Sequence, residues 1–283
     1  MTVLTTQEQQ EIDRANAAGK QPVVFVHGLY LLASSWDRWH ELFEEQGYTT
    51  LAPGWPDDPQ TVAGAIDNPE VFANKRIKQV TDHFAEAIGQ LKRKPVIVGH
   101  SFGGLIAQQL ADEGLSAVTV AIDPPGFRGV LPLPLSELKS GAPVLSNPAN
   151  YHRAVALTYE QFRYGFANAL SEDEAHQLYD LYAVPGPGTP LFQAAAANLN
   201  PWTEDQVNTR NPKRGPLLLI AGEQDHTVPL SVVKAAYKLQ QHNPAVTEFH
   251  EMPGRGHSLV IDHGWREVAE VALIFIAQQL QQG

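Results

Sequence analysis

Cysteine is absent from the 283-residue chain. That excludes disulfides and thiolate metal ligands, and leaves the redox compartment open, because a chain without thiols fits either side. Basic residues are few: 20 Lys and Arg stand against 31 Asp and Glu, for a formal charge of -11. Such a field repels phosphate backbones and anionic membrane surfaces, so nucleic acid is not an expected partner. No apolar run approaches the roughly 20 residues that a membrane span needs. The first residues, Met1 to Glu8, lack the basic start and apolar core of a signal peptide, and a cytoplasmic location is expected. Phosphate-loop, dinucleotide and metal-ligand spacings are missing too, so neither a cofactor nor a metal is expected.

What is present is an ordinary globular composition, 43% hydrophobic and 18% charged, enough for one large core with an insertion. Short apolar runs alternate with helical patterns. Val23 to Val26, Pro95 to Val98, Ala117 to Ile122, Leu217 to Ile220 and Val246 to Glu251 read as strands, with Tyr48 to Leu51 as a further one. Between them, helical spacing places Trp36, Trp39, Leu42 and Phe43 on one face behind a Ser34 or Ser35 cap. Val71 to Leu91, Leu105 to Leu110 and Leu230 to Gln241 also read as helices, and a last one carries Trp265, Val268, Ala269, Ala272 and Ile276 on one face. Pro53 to Pro69 reads as a loop. Alternation of this kind predicts an α/β fold, a doubly wound, mainly parallel sheet with ligands at the carboxyl ends of its strands. Gly126 to Asn211 breaks the pattern with helical pieces, Pro-Gly punctuation and no convincing strand. Residues 1–125 and 212–283 are therefore expected to form the core, and 126–211 an inserted helical cap.

The densest chemical signal is Gly99-His100-Ser101-Phe102-Gly103, between the run Pro95 to Val98 and a helix start. A G-x-S-x-G turn from strand to helix exposes its serine as a nucleophile, and its glycines make room where strand and helix approach. By composition alone the bare motif would occur in about one chain in ten of this length; its position between strand and helix removes most such accidents. A serine hydroxyl needs a base, and of eleven histidines His257, in the loop Pro253-Gly254-Arg255-Gly256-His257 after the last strand, can reach over the sheet edge. His40, His83 and His242 read as surface helix residues and His250 as a strand residue. The base needs a carboxylate: Asp225, after Leu217 to Gly222, gives the order Ser, Asp, His, and Asp123, at the end of the preceding strand, competes with it. Asp262 and Glu223 are expected to be solvated. Backbone N–H groups of Phe102 and of Leu29, with Tyr30 the alternative to Leu29, are positioned to stabilise an oxyanion. His226 beside Asp225 does not read as a metal pair, because adjacent residues in such a turn point apart.

Taken together, V-H-G-L at 26–29, G-H-S-F-G-G at 99–104, G-E-Q-D-H-T-V-P at 222–229 and G-R-G-H-S at 254–258 resemble the α/β-hydrolase superfamily over nearly the whole chain outside the cap and the first twenty or so residues. The resemblance implies a Ser101, His257, Asp225 triad with oxyanion donors at Leu29 and Phe102. Serine at the elbow, rather than aspartate, argues against the dehalogenase and epoxide hydrolase branches. The sequence departs from the family in lacking an amino-terminal hairpin and in carrying Ala52-Pro53-Gly54-Trp55-Pro56-Asp57 where an aspartate and glycine loop is frequent.

Most cap aromatics are expected to pack the cap onto the sheet; Tyr30, Trp55, Phe127, Tyr159 and Phe162 are the expected substrate-lining residues. An apolar lid over a serine favours a small, uncharged ester, hydrolysed through an acyl-enzyme. Perhydrolysis or hydroxynitrile cleavage on the same triad, and a hydrolase-like ligand sensor, are the rival readings.

Overall fold

The computed structural model describes residues 3–282. A polar helix, α1 (Thr6–Ala18), opens the fold with a capping box in which Thr5 and Glu8 satisfy each other's backbone N–H. Next come β1 (Pro22–Val26), a 3-10 turn over Ala33–Trp36, α2 (Asp37–Glu45), β2 (Thr49–Leu51), α3 (Val62–Asp67) and α4 (Ile77–Gly89). The nucleophile-bearing unit is β3 (Val96–His100) followed by α5 (Phe102–Asp112), and β4 (Val118–Ile122) completes the first half.

After β4 the chain leaves the sheet. It forms α6 (Leu135–Leu145), β5 (Ala154–Val155), α7 (Tyr159–Gly165), α8 (Glu172–Tyr182), β6 (Gly186–Pro187) and α9 (Gly188–Ala196) before returning as β7 (Leu217–Gly222), α10 (Leu230–Gln240), β8 (Thr247–Met252) and α11 (Trp265–Gln282). The main sheet has the order β2-β1-β3-β4-β7-β8, and every neighbouring pair in it is parallel. Every residue of β1, β3, β4 and β7 is buried, because helices cover both faces of a parallel sheet. On the edge, β8 has one exposed face and alternates accordingly. Among the described residues no helix is long and apolar enough to cross a membrane.

Several local expectations need correction. The helix expected over Val71 to Leu91 begins only at Ile77, because Asn74 at φ +61 sits in the left-handed region and ends the turn before it. The expected loop Pro53 to Pro69 contains α3, capped by Thr61. Neither Ser34 nor Ser35 caps α2; Ser35 Oγ donates to Leu32 O (2.7 Å) in the preceding 3-10 turn. The segment expected to lack strands holds the antiparallel pair β5–β6, two residues a side and too short to leave a periodic signal. His83 is buried rather than on the surface, its Nε2 bonded to Glu8 (2.8 Å), and Asp262 is buried rather than solvated, paired with Arg255.

Candidate active site

Ser101 stands between β3 and α5 at φ +56, ψ -127, strained for a residue other than glycine. The flanking glycines make this turn possible. A Cβ on Gly99 would lie 2.0 Å from Gly103 O, and one on Gly103 would lie 2.0 Å from Val26 O, so β1, β3 and α5 meet there with no space for a methyl group. The loop after β1 is equally close, since a Cβ on Gly28 would stand 2.7 Å from Ser101 Cβ. Leu29 follows Gly28 in that loop, and Phe102 opens α5, where the first N–H groups of a helix have no intrahelical carbonyl. Both are buried.

His257 follows β8 and is fully buried. Its Nε2 lies 2.9 Å from Ser101 Oγ and its Nδ1 lies 2.6 Å from Asp225 Oδ2, so Ser101 donates to Nε2 while Nδ1–H donates to the carboxylate. The other Asp225 oxygen accepts the N–H groups of Thr227 (2.7 Å) and Val228 (2.8 Å). The loop bearing His257 is tied on several sides: Ser258 N donates to Phe166 O (3.0 Å), Gln224 N to Arg255 O (2.8 Å), and the His100 ring, through Nε2–H, to His257 O (2.9 Å). Burial pushes the imidazole down from its ordinary value and the Asp225 carboxyl up. With three donors against it, Asp225 is the anion of the pair and resting His257 is neutral.

Asp123 is buried beside them. Its Oδ1 accepts the N–H of Gly222 (2.7 Å), and its Oδ2 lies 4.0 Å from His257 Nδ1. Atoms of His100, Asp123 and His257 lie within 4.8 Å of one another. Both nitrogens of His257 and Nε2 of His100 are already engaged, leaving a cation only Asp123 and His100 Nδ1. His226 turns away, its Nδ1 bonded to Tyr164 O (3.1 Å).

The residues expected to line a pocket separate into groups. Tyr30, at φ +66, has its hydroxyl buried without a partner among the described residues and its ring edge-on to Phe166 at 6.2 Å. Phe166 in turn packs edge-on against His257 at 4.9 Å, with Phe162 stacked behind it at 5.1 Å. Phe127 is a buried core residue. Trp55 stacks on His27 at 5.8 Å, donates Nε1–H to His27 O (3.1 Å) and lines a separate cavity of about 290 Å³ with Glu8, Glu11 and Asp37. Tyr159 stacks on His176 at 3.7 Å and donates to Glu172 (2.6 Å) near the surface, and Trp202 is 86% exposed rather than packed on the sheet. Sequence reasoning assigned no role to Phe166 or His100, since only the fold brings either ring to His257.

Known proteins match this architecture. The family model described as the alpha/beta hydrolase family matches residues 23–271. No curated protein sequence matches the chain. Among solved structures, it is similar to an extracellular alpha/beta-hydrolase from a Paenibacillus species at 20% identity and TM-score 0.64, covering 90% of this chain and 98% of that one. A monoacylglycerol lipase from Paleococcus ferrophilus aligns at 17% identity and TM-score 0.62, covering 91% and 94%. A methylesterase from Arabidopsis aligns at 15% identity and TM-score 0.61, covering 91% and 99%. With a family model matched along most of its length and a fold shared with those structures, the chain belongs to the alpha/beta hydrolase family.

Proposed function

We propose that this protein is a serine hydrolase that cleaves carboxylic esters of small, largely apolar molecules through an acyl-enzyme on Ser101. The observation that carries this reading is the unbroken relay from Asp225 Oδ2 through His257 to Ser101 Oγ, with contacts of 2.6 and 2.9 Å in a fully buried setting. In it, neutral His257 takes the Ser101 proton as Oγ attacks the ester carbonyl, and Asp225 stabilises the imidazolium. The N–H groups of Leu29 and Phe102 receive the developing oxyanion; each such donor is worth about 10² to 10³ in rate. His257 then protonates the departing alcohol and later activates the water that frees the acyl group. Residues 126–211 act as a cap, and Tyr30 with Phe162 and Phe166 gives the acyl site its apolar wall. The ester-cleaving names of the lipase and methylesterase above support the same substrate class.

Ser101→Ala removes one oxygen with little change of volume. Turnover of a p-nitrophenyl ester is expected to fall by about 10⁴-fold or more, with unchanged circular dichroism and with loss of fluorophosphonate labelling. Wild-type turnover by the folded variant would overturn the assignment.

A further inference from the structure

Two carboxyl groups, not one, are buried against His257, and they are held differently. Asp225 accepts three N–H donors. Asp123 accepts one, and no donor among the described residues reaches its Oδ2, although its side chain is 0% exposed. The backbone explains how it comes to be there. Asp123 continues the β4–β7 ladder by donating its N–H to Ile220 O (2.8 Å), but at φ +42 the strand turns away. Its carboxyl then takes the place of its carbonyl as the acceptor of Gly222 N–H. A conformation rare for residues other than glycine is thus spent on putting a second acid into the site.

Asp123 Oδ2 and Asp225 Oδ2 both face His257 Nδ1, at 4.0 and 2.6 Å; two carboxylates buried so near one another cannot both keep their charge, and the one with fewer donors keeps the proton. We propose that Asp123 is a positioning residue for the Ser101–His257–Asp225 relay: its free oxygen carries a proton and donates it to the Asp225 carboxylate, while Oδ1 accepts Gly222 N–H. That bond fixes the carboxylate that orients His257 and leaves a single negative charge beside the imidazole. Burial and the neighbouring Asp225 charge both hold the Asp123 carboxyl well above the usual carboxylate range. The titratable groups around it are Asp225 before α10, His257 before α11, His100 at the end of β3, Glu137 on α6, which acts on Asp225, and His27 after β1, which acts on His100. Raising the pH ionises Asp123, breaks its bond to Asp225 and sets two anions side by side, so activity falls on the alkaline side.

The kinetic part rests on the esterase reading, and the spectroscopic part does not. Asp123→Ala is expected to lower kcat about tenfold with KM held, through loss of its bond to the Asp225 carboxylate. Asp123→Asn keeps both an acceptor for Gly222 and an N–H donor for Asp225; it should recover most of that loss and displace the alkaline limb upward. Infrared difference spectra of the full chain between neutral and alkaline pH should contain, beside the bands of the other buried acids Asp205 and Glu137, a protonated-carboxyl band that Asp123→Asn abolishes and that Asp205→Asn and Ser101→Ala retain. The proposal is overturned if the band is missing from the wild type at neutral pH, if folded Asp123→Asn loses as much kcat as Asp123→Ala, or if its alkaline limb stays in place. Should Asp123→Ala not fold, the band and the limb decide alone. Failure of Ser101 to label with a fluorophosphonate while the band persists would count against the esterase reading and leave the proton on Asp123 standing.

Discussion

Asp225 and Asp205 are both buried aspartates whose carboxyls are pushed up, first of all by loss of water. Their surroundings differ. Asp225, at the carboxyl end of β7, meets two backbone N–H groups and an imidazole. Asp205 lies where the segment between β4 and β7 returns to the core; it is 0% exposed, and neither of its oxygens has a partner among the described residues. Burial alone makes an acid hold its proton, whereas burial with aimed donors makes an anion that can act on a neighbour. The sheet edge is built for charge, and the return of the insert carries a neutral acid that stabilises nothing by ionising.

The widest separation between the two sites should be in turnover. Asp225→Asn presents an amide to His257 Nδ1, favours the wrong tautomer and is expected to lower kcat by about 10⁴-fold. Asp205→Asn should leave kcat of the same ester as it is. Steady-state kinetics on both variants checks this, and comparable losses would erase the contrast.

In stability the order reverses. The folded-state value of Asp205 lies above the unfolded one, so its favourable contribution is complete below about 3.8 and is lost as the pH rises through about 8. Asp205→Asn cannot ionise and escapes that loss. Its advantage in urea midpoint over wild type should grow from acid to alkaline pH, by at most about 1.4 kcal/mol per pH unit for a single group. A difference independent of pH would mean that Asp205 is ionised in the fold already.

The uneven legibility of the sequence follows the same division. Strands β1, β3, β4 and β7 are runs of apolar residues buried on both faces, a pattern visible without partners. The elbow glycines and the loop carrying His257 are local in sequence, so Ser101 and His257 could be singled out and the structure brings them to 2.9 Å. What escaped depends on distant partners. His83 reads as a surface residue until Glu8, 75 positions away, is placed against it. Helix α1 buries only Glu8, Ile12 and Ala15, too thin a stripe to signal a helix. Asp262 reads as solvated until Arg255 folds back onto it. Phe166 is one aromatic among many in the insert, and only the tertiary fold sets it edge-on to His257.

That ring offers the finest test of the contrast. Burial holds the His257 imidazole below its ordinary value of 6.5, because a charged ring without water is disfavoured, and Phe166 covers one of its edges at 4.9 Å. The acid limb of kcat/KM, which reports the free base, should therefore lie below pH 6.5 in the wild type. Phe166→Ala admits water, relieves the penalty on the imidazolium and raises the value, so the limb should move upward by about one pH unit, toward the value of an exposed histidine. Rates on the neutral plateau change less than the limb does, since the base is unprotonated there in both proteins. A limb that stays in place would assign the depression to burial on the sheet side, where the His100 ring packs 4.8 Å from His257, rather than to the aromatic wall of the insert.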